Sequence, residues 1–313
     1  MELTCPAPAK LNLFLHVVGR RPGGMTRCAQ ASGAGMPPPR LLPQSASCAS
    51  NVSEADGYHL LQTLFRFIDL QDTLHFSLRE DGKVRRINTI EGVAEEQDLC
   101  VRAARLLQSE AGCALGVDIA VEKRIPMGGG LGGGSSDAAT TLIALNRLWS
   151  LGLRRERLMR LGLSLGADVP VFVFGKNAFA EGVGEKLQAY PLPEAWYLVL
   201  TPPVHVPTAE IFGHPELTRD TVSITMRALS ERRSQLRNDL QSVACKLYPE
   251  VARYIAWLGS YGRAMMTGSG ACVFAEFSSR EKAEEVLRQL PHDMRGVVAQ
   301  GLAKHPLHDW VPD

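Results

Sequence analysis

The sequence has almost no surplus of charge: 34 lysines and arginines face 33 aspartates and glutamates, a formal net charge of +1. It therefore lacks the electrostatic footprint of a protein that grips a nucleic-acid polymer. It also lacks any apolar run near the roughly 18 residues that a membrane-spanning helix needs. Its cysteines (Cys5, Cys28, Cys48, Cys100, Cys113, Cys245 and Cys272) are scattered, odd in number and without a Cys-x-x-C pair, so neither a disulfide framework nor a zinc site is indicated. Met1-Glu2-Leu3-Thr4 has no basic flank leading into an apolar stretch, and the expectation is a cytoplasmic protein with reduced thiols. No repeat of solenoid or propeller length is present.

The chain does have length and hydrophobic content, with 313 residues of which 45% are hydrophobic. At about 150 residues per domain, two domains are expected. Ala9 to Val18 alternates, with Ala9, Leu11, Leu13 and Leu15 on one face and Lys10, Asn12, Phe14 and His16 on the other, and predicts a first strand. Residues 22–55 break all periodicity with Pro37-Pro38-Pro39, five serines and no aromatic residue, and read as a disordered insertion. Asn51-Val52-Ser53 within it matches a glycosylation acceptor, a match without meaning in the absence of secretion. The spacing then predicts a strand from Gly57-Tyr58-His59 through Ile68, a helix over 99–111, a strand over 117–121, helices over 138–149 and 155–165, and a short apolar strand over 169–174. Past residue 180, strands at 197–200, 271–277 and 297–302 alternate with helices at 239–247, 250–258 and 280–290, a separate α+β layer.

Pro126-Met127-Gly128-Gly129-Gly130-Leu131-Gly132-Gly133-Gly134-Ser135-Ser136-Asp137 carries the most chemistry, with six glycines in seven positions between a strand and a helix. A backbone without Cβ atoms turns several N–H groups onto one anion, and the helix start adds free N–H groups and a partial positive charge. Ser135, Ser136 and Asp137 are candidate caps for that helix. A flexible linker is the bland alternative, but a linker does not sit tightly between a strand and an amphipathic helix. The tripeptide Gly-Lys-Ser/Thr of a Walker A loop occurs nowhere, and His-Arg-Asp and Asp-Phe-Gly are missing too. Gly128, Gly130 and Gly133 satisfy the dinucleotide fingerprint formally. The acidic residue that fingerprint requires after the next strand is replaced by Gly175-Lys176.

The loop closely resembles the second motif of the GHMP small-molecule kinases. Pro8-Ala9-Lys10-Leu11-Asn12-Leu13 resembles their first motif and Thr267-Gly268-Ser269-Gly270-Ala271-Cys272-Val273-Phe274 their third. The resemblance implies an α+β GHMP kinase fold. Its N-terminal domain, residues 1–180, would have a mixed sheet and the phosphate loop before a helix; its C-terminal domain, residues 181–313, would be ferredoxin-like α/β. It implies ATP with Mg2+ as the phosphoryl source, Lys10 and Asp168 as the catalytic pair, and ATP binding along Pro126, Met127, Gly128, Gly129, Gly130, Leu131, Gly132, Gly133, Gly134, Ser135 and Ser136. Metal ligands stay unassigned.

Asp56-Gly57-Tyr58-His59, Leu61-Gln62-Thr63, the segment 165–172 and Pro207-Thr208 narrow the resemblance to the branch that phosphorylates a cytidine diphosphate-linked methylerythritol. In that branch the residues implied around the substrate are Asn12, Tyr58, His59, Thr208, Phe212, Gly268, Ser269 and Gly270, although a core role for Phe212 fits the sequence equally well. The insertion at 22–55 is a departure from the family, which has a short connection there. A homoserine, mevalonate or sugar kinase of the same family would need no cytidine pocket. A nucleotide-only binder is disfavoured by the retained Lys10 and Asp168. Nothing in the sequence decides between a monomer and a homodimer.

Overall fold

The computed structural model describes residues 1–20, 59–231 and 235–313. The expected insertion at 22–55, the Asn51 acceptor motif and Tyr58 lie outside the described residues. The first half contains β1 (Glu2–Arg20), β2 (His59–Arg79), β3 (Val84–Arg86), α1 (Leu99–Ala111), β4 (Gly116–Glu122), α2 (Gly133–Leu148), α3 (Arg155–Leu165), α4 (Val169–Phe174), β5 (Ala178–Gly182) and β6 (Lys186–Ala189). The second contains β7 (Trp196–Leu200), α5 (Thr208–Gly213), α6 (Ala228–Glu231), α7 (Gln241–Leu247), α8 (Pro249–Gly259), β8 (Met265–Met266), β9 (Val273–Phe277), α9 (Arg280–Arg288) and β10 (Gly296–Leu302).

The long strand β2 organises the sheet, pairing antiparallel with β1 along nearly its whole length and with β5, β10 and β4 at successive stretches. Only β3 and β4 run parallel among the described pairs, so the sheet is mixed. In the second half the strand order is β10-β7-β9-β8, which in order of appearance is 4-1-3-2 with antiparallel neighbours, the ferredoxin-like arrangement. Gly301 and Leu302 of β10 pair with Ile68 and Phe67 of β2 and join the two halves into one continuous sheet.

Four apolar clusters follow from this layout among the described residues, the smallest joining Phe14 and Leu64 to Phe179, Leu229 and Leu236. One lies under α1, α2 and α4 and includes Phe76, Leu107, Ile119, Leu142 and Phe172. A second, around Leu198, Val243, Tyr254 and Val273, fills the ferredoxin-like half. A third joins Ala9, Leu11 and Ile68 to Ile125, Leu131, Tyr197 and Phe274 and sits beneath the glycine loop at the junction. Both faces of β1 are therefore covered along most of its length, where alternation had suggested one apolar face. Between Asn12 and Leu15 the pairing shifts, because three steps along β1 match two along β2 (Asn12↔Phe65, Leu15↔Thr63). A bulge of this kind reverses the parity of the strand, so Lys10 and Asn12 share a cleft with Leu15 rather than with Phe14 or His16.

Two local expectations are corrected. Residues 169–174 form a helix, not a strand: Pro170 occupies an early helical position, where its missing N–H is harmless, and Gly175 closes the turn at φ +71°. A run of six apolar residues has no period long enough to separate the two states. Likewise α2 starts at Gly133, five residues before the amphipathic pattern becomes visible, with Gly132 as its N-cap and no side-chain cap. Ser135, Ser136 and Asp137 lie inside the helix, the last of them beyond its first turn, and do not cap it.

The last residues return to the first half. Buried Arg155 donates from Nη1 to the Val173 carbonyl (2.8 Å), from Nη2 to the carbonyls of His308 (2.9 Å) and Val311 (2.7 Å), and from Nε to the Asp313 carboxylate (2.5 Å). Leu307 and Val311 join the first apolar cluster. Among the described residues no helix is long and apolar enough to cross a membrane. Replacing Arg155 by Met keeps the apolar stem but strands three carbonyls, each costing about 1–3 kcal/mol when buried without a donor. The expected loss is roughly 3 kcal/mol or more, read from urea unfolding; a midpoint unchanged from wild type would show that this clamp contributes nothing.

Candidate active site

The glycine loop is threaded between β1 and the segment 267–270, and its backbone is fixed from both sides. Lys10 N donates to the Leu131 carbonyl (3.0 Å), and Cys272 N to the Gly129 carbonyl (3.1 Å). Glycine is needed where the passage is narrowest. Gly130 has φ +74° and a Cβ there would lie 2.2 Å from the Thr267 carbonyl oxygen; Gly132, also at φ +74°, would press one to 3.1 Å from Lys10 Cε. Because Ser136 N makes the first intrahelical bond, to the Gly132 carbonyl (2.8 Å), the N–H groups of Gly133, Gly134 and Ser135 precede any helical acceptor. Such free N–H groups, with the dipole of a 16-residue helix behind them, have the chemistry to hold an anion.

Against this loop stands a buried cation. Lys10 is 2% exposed, and its ammonium meets the Asn12 Oδ1 (2.6 Å), the Gly130 carbonyl (3.0 Å) and the Asp168 Oδ2 (3.2 Å). Three acceptors match its three N–H donors. Asn12 is placed by a further relay: its amide donates to Thr63 Oγ1 (2.9 Å), and its backbone N–H donates to Thr267 Oγ1 (3.0 Å). Asp168, at the start of α4, keeps 37% of its side chain exposed and faces the opening.

The cleft formed by these groups has a volume of about 750 Å3. Leu99 and Lys123 stand beside Gly134 and Gly133 on one side of the loop, and Thr208 Oγ1 bonds Ser269 Oγ (2.8 Å) on the other. Pro126 through Ser135, Asn12, Thr208, Phe212, Gly268, Ser269 and Gly270 all line the cleft with Lys10 and Asp168. Ser136 does not: it is fully buried and its Oγ donates to the Pro8 carbonyl (2.7 Å). His59 is 9% exposed, is not among the residues lining the cleft, and packs against Phe212, which is, with ring centroids 5.0 Å apart. Its pKa is lowered by burial and by the nearby Arg20 and Arg219 charges.

Sequence reasoning missed a second charged cluster in the same cleft. Lys123 bridges Asp72 and Asp137, the latter at 2.7 Å, while Asp72 Oδ1 also accepts the backbone N–H groups of Arg124 (2.5 Å) and Ile125 (2.8 Å). Burial opposes the charge on Lys123, but the two carboxylates outweigh it and hold its pKa above the ordinary lysine value. Burial and the neighbouring Asp72 outweigh Lys123 at Asp137, whose pKa is pushed up to about 7, and its Oδ1 has no partner. Thr63 and His205, which packs on Gly128, were also unassigned, as was the side chain of Thr267, which was expected to contribute through its backbone as part of the third motif. Each is an ordinary residue type whose role comes from a partner far away in sequence.

The chain matches the family models for the GHMP kinases N terminal domain over residues 98–176 and the GHMP kinases C terminal over residues 220–296. With full-length relatives above 50% identity, it belongs to the GHMP kinases. It is 56% identical to the 4-diphosphocytidyl-2-C-methyl-D-erythritol kinase of Nitrosospira multiformis, covering 99% of this chain and 95% of that one. It is 55% identical to the enzyme of the same name from Thiobacillus denitrificans over the full length of both. Among solved structures, a 4-(cytidine 5'-diphospho)-2C-methyl-D-erythritol kinase, 31% identical, superposes with a TM-score of 0.73 over 96% of this chain and 99% of that one. The mevalonate kinase of Methanococcus jannaschii, at 17% identity, 0.64 TM-score and the same coverage, shares the fold.

Two measurements test the site's physics. Gly130→Ala should lower nucleotide affinity at least tenfold, since a Cβ cannot coexist with the Thr267 carbonyl at 2.2 Å; titration giving wild-type affinity would contradict this. Asp137 binds its proton more tightly folded than unfolded, so its favourable contribution is complete below about pH 4 and lost as pH rises through 7. Asp137→Asn, which cannot ionise, should therefore gain about 1 kcal/mol or more over wild type between pH 5 and pH 8. A stability difference that is flat with pH would refute the assignment.

Proposed function

We propose that this protein transfers the γ-phosphoryl group of ATP to the 2-hydroxyl of 4-diphosphocytidyl-2-C-methyl-D-erythritol, a step in isoprenoid precursor synthesis. The observation that carries the reading is the Lys10–Asp168 pair, 3.2 Å apart, with the same ammonium 3.0 Å from the glycine-loop carbonyl of Gly130. Phosphoryl transfer asks a protein chiefly for positioning and charge stabilisation. The cleft offers both, together with a carboxylate at the opening. The names of the full-length relatives supply the acceptor.

In this reading the loop N–H groups and the start of α2 hold the triphosphate, and the glycine-only passage at 130 and 132 is a cradle that side chains would fill. Asp168 takes the proton of the attacking hydroxyl. The hydroxyl oxygen forms a bond to the γ-phosphorus, the bond from that phosphorus to the β,γ-bridging oxygen breaks, and ADP departs. Lys10 holds Asp168 in place and offers positive charge to the transferring group. Asn12 orients the acceptor, and Thr208, Phe212 and the segment Gly268-Ser269-Gly270 form its wall, with Tyr58 and His59 recognising the base.

Magnesium would be carried in on the nucleotide's phosphates and would supply charge neutralisation there. Among the described residues no three acidic, histidine or cysteine side chains converge as a metal-holding group, and a phosphate-borne ion needs only one or two protein oxygens. The Ser135 hydroxyl lines the cleft at the start of α2 and would supply such an oxygen.

The test is ATP consumption with the named acceptor. Asp168→Asn should lower kcat by about 100-fold or more while ATP affinity stays within about threefold of wild type. An unchanged kcat removes Asp168 from the chemistry. Competition by CMP separates this acceptor from homoserine, mevalonate or a sugar, none of which carries a cytidine.

A further inference from the structure

Arg219 has its guanidinium tied down on several sides at once. Nη1 donates to the Leu217 carbonyl (3.0 Å), Nη2 to the carbonyls of Phe212 (2.8 Å) and His214 (2.8 Å), and Nε to the imidazole Nε2 of His59 (3.1 Å). Two consequences follow from elementary chemistry. A guanidinium has donors and no acceptor, so His59 Nε2 must present its lone pair. An imidazole with a lone pair on Nε2 is neutral and carries its proton on Nδ1. The two Nη2 bonds also satisfy carbonyls at the C-terminal end of α5, the helix that bears Phe212, against which the His59 ring packs. One side chain thus joins the first residue of β2 to the last turn of α5.

We propose that Arg219 is a positioning residue for nucleobase selection: it fixes His59 in the Nδ1–H form and holds Phe212 against it, giving the base subsite one hydrogen-bonding sense. The proposal rests on the cytidine reading of His59 and Phe212 given above. A fixed Nδ1–H donor suits cytosine, whose N3 and O2 both accept. It opposes uracil, whose N3 bears a hydrogen. Burial and the adjacent Arg20 and Arg219 charges lower the His59 pKa and work in the same direction, since a protonated ring could not accept from Nε. Without Arg219 nothing in this contact prevents the ring from moving its proton to Nε2 and offering a lone pair from Nδ1, which would welcome the uracil edge.

The test uses the full chain as wild type, Arg219→Leu and Arg219→Lys, the last keeping a cation for the α5 carbonyls in case the leucine variant does not fold. Inhibition by CMP and by UMP is measured beside the KM for ATP. Wild type should prefer CMP by about tenfold or more, and this ratio should fall toward one in Arg219→Leu, and partly in Arg219→Lys, with the KM for ATP within about twofold of wild type. Nitrogen-15 NMR of the histidine rings without ligand should show His59 as Nδ1–H in wild type and as a tautomer mixture in the variants. A CMP preference that survives in both variants overturns this inference and leaves the cytidine reading intact, as does a wild-type His59 carrying its proton on Nε2. Failure of wild type to bind CMP overturns both.

Discussion

The structure depends on how a buried ammonium is satisfied. Taking Lys10 out of water costs several kcal/mol unless its charge and all three N–H groups are met. The partners come from three places: Asn12 two residues along the same strand, Gly130 in the loop before α2, and Asp168 at the start of α4. Satisfying one cation therefore determines how β1, the glycine loop and α4 approach one another. The chemistry proposed for the cleft is built from the same three segments, so the arrangement that makes Lys10 tolerable inside the protein is also the one that aims Asp168 at the opening.

Close backbone approach is the second constraint. The loop runs between Lys10 and the segment after β8, and at Gly130 the gap admits no Cβ. Residues 267–270 belong to the ferredoxin-like half and the loop to the other, so the cleft exists only while the two halves are held together. The β2–β10 pairing and the apolar cluster beneath Leu131 hold them. Lys123, Asp72 and Asp137 add a buried charged group beside the helix start, where a carboxylate with an unpartnered oxygen shares one ammonium with a second carboxylate.

Most regular elements were legible from periodicity because their amphipathic stripes are long: α1 occupies the residues expected, and β7, α8 and β10 differ by a residue or so at their ends. Legibility failed where the pattern was short or where a contact overrode it. Six apolar residues at 169–174 carry no decisive period, and their helix is selected by Pro170, Gly175 and packing on α2 and α3. The glycine start of α2 has no amphipathic signal, because glycine has no side chain to pattern. The bulge between Asn12 and Leu15 left no mark in the alternation at all, yet it decides that Leu15 and not Phe14 shares the cleft with Asn12.

From the sequence alone came the reading of the glycine-rich segment as a phosphate loop before a helix, because glycine content is a local property written along the chain; the class of fold and the pairing of Lys10 with Asp168 came from the resemblance of three motifs to the GHMP kinases. The tertiary structure alone decided that Ser136 turns inward, that His59 packs on Phe212 and accepts a hydrogen bond from an arginine 160 residues away, and that Lys123 joins two carboxylates. Those outcomes are set by which distant groups meet a buried donor or acceptor. No window of sequence contains both members of such a pair.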